Sequence, residues 1–396
     1  VTERSRPRLA VIVNSYGPFS HGECIATKLM EGLAFDDHFD EPRCDVVAMH
    51  LLQIAEDDIG VEKAANNGVP LYHSVAAALC EGGDELSVDG VVVVGEHGEF
   101  PYNAKGQKLY PRRELFDQIV GVFRQAGRVV PVFNDKHFSW NWAWAKHMWR
   151  TVHEMGIPWM AGSSLPFTPF EPAVALPDDD PIDHVVSFGF GDLEHYGYHA
   201  LETAQFVLER RLGGESGVAR VECIGGPAVW EEYEKGRWPK DVCEAAFAAV
   251  HTQHGRPQDH AAVPHTDLGM VIGTLAFDVT YRDGLRLTVF ILNGYCQEFG
   301  FAYRLKGRDE IVATSKELDE VPRLNHMSAL VRAIEDMMLT GVAPIPPERT
   351  YLVTGVVAAL ADSYALGAPV ETPELDIAYK AMPVPESWPE VLRPAR

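Results

Sequence analysis

Residues Val88-Asp-Gly-Val-Val-Val-Val-Gly-Glu-His-Gly98 form a β-branched run closed by glycine, the pattern of a short strand buried on both faces. Two similar runs follow. One is Val129-Val-Pro-Val-Phe-Asn-Asp-Lys-His137, the other Gly156-Ile-Pro-Trp-Met-Ala-Gly-Ser-Ser164. Helical segments separate the three. Strands joined through helices lie parallel, with right-handed crossovers. Working back toward the start, 9–13 and 44–49 read as two further strands, with a helix over 24–33 between them. Residues 1–166 are therefore expected to form an α/β, doubly wound parallel sheet. In such sheets chemistry sits just beyond the carboxyl ends of the strands. That puts Glu96, His97, Asn134, Asp135, Lys136 and His137 on one rim.

The pattern then changes. A proline-rich connector, Leu165-Pro-Phe-Thr-Pro-Phe-Glu-Pro172, leads to a long helix expected over 195–212. Strands are expected at 218–224, 269–281, 285–292 and 300–305, and helices at 325–339 and 348–366. Asp283-Gly284 suits a hairpin turn that needs positive φ. Residues 167–368 thus read as an α+β domain with a large, mostly antiparallel open sheet, followed by a proline-rich tail over 369–396. The 396 residues suit two domains, and 46% apolar residues suffice for packed cores. The net charge of −23 (34 basic against 57 acidic residues) argues against nucleic acid, whose phosphates call for a basic surface. No segment reads as a membrane span or a signal peptide. Six cysteines without C-x-x-C spacing read as reduced thiols of a cytoplasmic protein.

Two motifs decide the comparison with known families. Asp135-Lys136-His137 follows a strand, and His195-Tyr-Gly-Tyr-His-Ala-Leu-Glu202 opens the long helix. In this element order the chain resembles the glucose–fructose oxidoreductase / inositol dehydrogenase / MocA (Gfo/Idh/MocA) family. That family has a Glu-Lys-Pro loop whose lysine works on a sugar hydroxyl, and often Asp-x-Gly-x-His-x-x-Asp at the helix start. The resemblance implies a Rossmann-like first domain, a small sugar-like substrate, and a homo-oligomer built through the C-terminal sheet. It also implies that His199 bonds a substrate hydroxyl.

The chain departs from that family at the nucleotide site. A dinucleotide calls for G-x-G-x-x-G after the first strand, so that backbone amides can approach the pyrophosphate. Here the turn is Asn14-Ser-Tyr-Gly-Pro-Phe-Ser-His-Gly22. Asn14, Ser15, Tyr16 and Gly17 are the remaining cofactor-binding candidates. Pro18 lacks an amide donor, and Tyr16 and Phe19 add bulk. The second strand ends at His50, without an acid for the ribose.

Lys136, His97, His137 and His199 are the expected catalytic residues, since histidine is both a common proton shuttle and a common metal ligand. His21, after the degenerate turn, could join them. Substrate contacts are expected from Glu96, Asn134, Asp135, Tyr102, Tyr198 and Trp140, the last from a tryptophan-rich segment that can stack on sugar faces or simply pack in the core. His195 and His199, four apart on one helix face with Glu202 three further on, have a spacing that suits Zn²⁺ or Mn²⁺. With the nucleotide signatures missing, the sequence favours metal-assisted lyase or epimerase chemistry on a carbohydrate. An NAD(P)-dependent sugar or polyol oxidoreductase is the alternative, and a non-catalytic sugar-binding or regulatory protein is the third possibility.

Overall fold

The structure is a computed structural model that describes residues 6–35, 38–251, 263–265, 270–316 and 325–383. In chain order it runs β1 (Arg8–Val13), a π-helical turn Gly22–Thr27 leading into α1 (Lys28–Glu31), β2 (Leu33–Ala34), β3 (Phe39–Asp40), β4 (Asp45–Leu51), α2 (Gly60–Asn66), α3 (Val75–Leu79), β5 (Gly90–Val94), α4 (Arg112–Ala126), β6 (Val132–Asp135), α5 (Trp142–Met155) and β7 (Trp159–Gly162). β1, β4, β5, β6 and β7 pair in the order β4-β1-β5-β6-β7, all parallel. Leu9–Val13 and Gly90–Val94 are buried throughout. Only strands covered on both faces tolerate such unbroken apolar runs. Helices end where glycine takes the left-handed turn, Gly127 after α4 and Gly156 after α5.

The chain continues through β8 (Ile182–Gly189), α6 (His195–Leu208), β9 (Val218–Gly225), α7 (Pro227–Glu234), α8 (Lys240–Ala248), β10 (Val263–His265), β11 (Met270–Ile272), β12 (Leu275–Tyr281), β13 (Arg286–Ile291), β14 (Phe299–Leu305), β15 (Ile311–Lys316), α9 (Ser328–Thr340), α10 (Pro347–Leu366) and β16 (Val370–Glu371). A seven-stranded sheet has the order β15-β14-β8-β13-β12-β9-β16, antiparallel except for the β8–β13 pair. The expected pairing of a Rossmann-like parallel sheet with a large, mostly antiparallel sheet is thus present.

Period-two alternation gives that second sheet two covered faces. Ser187 of β8 turns to one side, and its hydroxyl donates to Ala200 O of α6 at 3.1 Å. Val186 and Phe188 turn to the other. There they join Ala276, Phe290 and Ala302 in a core with Val229, Trp238, Val242 and Phe247, contributed by α7, α8 and the loop between them. At the sheet's edge Lys316 is fully buried. Its ammonium donates to the carbonyls of Leu165 and Thr168 and lies 3.7 Å from the centre of the Phe170 ring. Burial pushes its pKa well down.

Contacts divide the chain into two compact units. The first holds Val1–Phe100, Tyr110–Ser164 and Asp319–Pro347; the second holds Pro101–Leu109, Leu165–Leu318 and Glu348–Arg396. α9 therefore belongs with the parallel sheet. Arg43 anchors it there, pairing with buried Glu335 at 3.0 Å and with Asp336 at 2.6 Å. The sequence expects strand 129–133 and helix 195–212; the elements are Val132–Asp135 and His195–Leu208. Pro131, which has no amide for the ladder, delays the start of β6, and pairing with Ala161 and Gly162 of β7 carries the strand on through Asn134 and Asp135. The side chain of His265, the residues 384–396 of the expected tail, and parts of the expected strand 269–281 lie outside the described residues.

Candidate functional site

At the end of β6 the chain turns on Lys136, whose φ is +63°. A side chain with a Cβ rarely adopts this conformation, and it persists where the surroundings enforce it. Here the Lys136 amide donates to Gly162 O at 3.1 Å. Asn134 Nδ2 ties the loop down by donating to His137 O at 3.1 Å. The turn aims the Lys136 ammonium at Glu96, with Nζ 3.2 Å from Oε2 and both side chains buried. The other Glu96 oxygen takes Arg112, the first residue of α4, which is fully buried. Arg112 also approaches His137 (Nη1 to Nε2, 3.4 Å) and lies over the Tyr110 ring. Gly95 makes room for it, since a Cβ there would come within 2.9 Å of Arg112 Cγ. His97, also at positive φ (+61°), donates its amide to the Tyr110 hydroxyl oxygen at 3.1 Å. A buried cation–carboxylate–cation row thus lines the rim. Sequence reasoning had Lys136 and Glu96 but missed Arg112, whose only signal is its place at a helix start.

The β1 turn contributes a second bridge. His21 Nδ1 lies 2.7 Å from Asp135 Oδ2 at the end of β6, and the His21 and His97 rings are 5.5 Å apart. Asp135 Oδ1 is buried with no hydrogen-bond partner among the described residues, and so are both polar atoms of the Asn14 side chain. His21, Asp135, His97, Lys136, Glu96 and His137 are therefore gathered on one sheet edge. Tyr16 turns inward: its ring is buried, its hydroxyl meets Thr27 Oγ1 at 2.6 Å, and it packs where a Cβ on Gly60 would be only 2.7 Å away. The Phe19 amide donates to the Glu23 carboxylate at 2.6 Å. Gln53, just past β4, bonds the backbone of Glu99 twice: it accepts from the Glu99 amide at 2.8 Å and donates to the Glu99 carbonyl at 3.0 Å.

In the second unit the expected metal ligands do not come together. His195 Nδ1 is 2.6 Å from Asp192 Oδ2. His199 sits among Tyr196, Tyr198 and Phe299, with ring centres 5.8–6.1 Å away. Glu202 is fully buried and takes the Thr350 hydroxyl at 3.2 Å. Burial pushes its pKa up to about 7, with Arg349 opposing. One helix stripe therefore carries three side chains with different partners. Among the described residues no group of three or more His, Cys, Asp or Glu is placed to hold a metal. The expectation of Zn²⁺ or Mn²⁺ on His195, His199 and Glu202 is corrected accordingly. Tyr198 is buried behind His199. Tyr102 belongs to the second unit, in a small hairpin with Lys108 whose amide donates to Glu194 at 2.7 Å. Trp140 packs edge-on against Trp144 at 4.8 Å, and Arg113 lies over the Trp144 ring.

The chain thus carries a parallel sheet with a lysine at its rim and a mostly antiparallel second sheet. No family model matches the chain, and no curated protein matches it by sequence. Solved structures do. GenD2 from gentamicin A biosynthesis, crystallised with NAD, is 16% identical over 93% of this chain and 97% of its own, with a TM-score of 0.59. The scyllo-inositol dehydrogenase of Lactobacillus casei is 12% identical, covers 93% and 98%, and has a TM-score of 0.58. The myo-inositol 2-dehydrogenase of Lactobacillus plantarum is 12% identical, covers 93% and 99%, and has a TM-score of 0.54. The chain thus has the fold of Gfo/Idh/MocA-type oxidoreductases, in a divergent sequence. Both inositol enzymes are dehydrogenases, which overturns the expectation of lyase or epimerase chemistry.

The β1 turn does not fit a dinucleotide laid in the usual way along this edge. Pyrophosphate is held by open amides, yet here Phe19 gives its amide to Glu23, and Ser20 gives its own to Gly17 O. The Gln53–Glu99 bonds join the ends of β4 and β5, the two neighbours of β1, across the strand where the nucleotide would run. Among the described residues no helix is long and apolar enough to cross a membrane.

Proposed function

We propose that this chain is a sugar or polyol oxidoreductase that uses NAD(P), with a small polyhydroxylated molecule as substrate. The observation that carries this reading is Lys136, held at positive φ beyond β6 with its ammonium 3.2 Å from Glu96. Strain of this kind gathers at functional positions, and the dehydrogenases of the same fold support the redox class. In this reading Lys136 exchanges the proton of the reacting hydroxyl. Glu96 fixes the ammonium, and Arg112 fixes Glu96. His21, held by Asp135, carries protons between the rim and water. His97 and His137 complete the polar rim. A bound nicotinamide would supply the redox half of the reaction, and the residues of the rim would supply binding and proton transfer.

The test is Lys136→Met, assayed with NAD+ and NADP+ against a panel of inositols, aldoses and sugar acids. Turnover should fall by about 10²–10⁴, the usual contribution of a positioned acid/base, while the circular dichroism spectrum stays that of the native protein. A folded Lys136→Met protein with undiminished turnover would remove the lysine from the mechanism.

A further inference from the structure

We infer that Glu23 and Gln53 are the residues that set affinity for the dinucleotide, because each occupies from within the chain a contact the dinucleotide needs. This rests on the nicotinamide reading above.

The β1 turn takes up several of its own donors. Phe19 N–H goes to Glu23 Oε2 at 2.6 Å, Ser20 N–H to Gly17 O at 3.2 Å, Glu23 N–H to Ser20 Oγ at 3.3 Å and Cys24 N–H to Ser20 O at 2.9 Å. Pro18 has no N–H to give. A carboxylate on a backbone amide is a charge-assisted bond, stronger than a neutral one. It also places negative charge where a pyrophosphate would bring more. A second carboxylate stands close by: a Cβ on Gly17 would lie 3.6 Å from Asp57 Oδ2. Residues 9–27 and 44–62 contain no lysine or arginine; of the cations that flank them, Lys28 is buried and Lys63 pairs with Glu31 at 2.9 Å. Across β1, Gln53 spends both its amide oxygen and its amide nitrogen on Glu99. Gln53 lies two residues past the end of β4, where a ribose-binding side chain is called for.

A dinucleotide therefore enters only by displacing Glu23 from the Phe19 amide and Gln53 from Glu99. A ligand that must first break internal contacts binds with an affinity reduced by the fraction of open molecules. The extra phosphate of NADP+ makes its entry harder than that of NAD+. Asn14, at the end of β1, has a donor and an acceptor with no partner among the described residues, and it would gain one when the turn opens.

The experiment is calorimetric titration of NAD+ and NADP+ into the full chain and into Glu23→Gln and Gln53→Ala. Both substitutions are at partly exposed sites and leave the sheet intact. NAD+ should bind Glu23→Gln roughly tenfold more tightly than the wild type, in keeping with the strength of a carboxylate's contact with such amides, which the dinucleotide must otherwise break. Gln53→Ala should also tighten binding, and NADP+ should bind more weakly than NAD+ throughout. A wild type that binds NAD+ no less tightly than either variant overturns the role of Glu23 and Gln53 and leaves the nicotinamide reading standing. No binding by the wild type or by either variant overturns both.

Discussion

At the residue scale, the rim is organised around one carboxylate. Glu96 faces two buried cations, Arg112 and Lys136, so the row holds together only while all three are present. Removing one partner from such a group leaves uncompensated buried charge. Arg112→Met should cost roughly 3–5 kcal/mol, read as a lower urea midpoint. An unchanged midpoint would mean that Arg112 is not what holds Glu96. Much of this site was legible. The strand-end positions of Glu96, Asn134, Asp135, Lys136 and His137 follow from β-branched runs that stop at glycine or polar residues. Arg112 was not legible, because nothing in the sequence says which arginine at a helix start turns inward. Nor was the bond from the Phe19 amide to Glu23 legible, because an acid in a first turn is ordinary helix chemistry until its partner is seen.

At the element scale, α6 shows how spacing can mislead. His195, His199 and Glu202 share a stripe, but the stripe faces several neighbours along its length. Glu202 meets α10, where Thr350 and Arg349 lie. Its pKa, about 7 when folded against an ordinary value of 4.5, means that the folded protein holds a proton there that the unfolded chain releases. Stability from this group is full below about pH 4.5 and is lost as pH rises through 7. Glu202→Gln should therefore gain stability on the wild type between pH 5 and pH 8, by up to roughly 3 kcal/mol. Urea midpoints of both proteins at the two pH values measure this, and a constant difference would show that Glu202 is not held protonated. β8, β15, α7 and α8 were not assigned from sequence. β8 alternates too little to announce itself, because both of its faces are buried. α7 and α8 are short, and their apolar residues only make sense against a sheet face.

At the scale of the whole molecule, both sheets were legible from the order of runs and turns. The division into units was less so, since α9 returns to the parallel sheet from a distant part of the chain. One face of the seven-stranded sheet, that of Phe188 and Phe290, is covered by α7 and α8. Phe290→Ala should then cost roughly 3–5 kcal/mol by cavity formation and leave the mass by light scattering unchanged. A change in assembled mass would show that this face takes part in an interface between copies. We propose that the chain oxidises or reduces a polyhydroxylated substrate. The most direct measurement is mass spectrometry of the products after incubation with NAD+ and a panel of cyclic polyols and sugars. The predicted product is two hydrogens lighter than its substrate, formed together with an equal amount of reduced nicotinamide. A product of equal mass, or one lighter by a water, formed without reduced nicotinamide would contradict the claim.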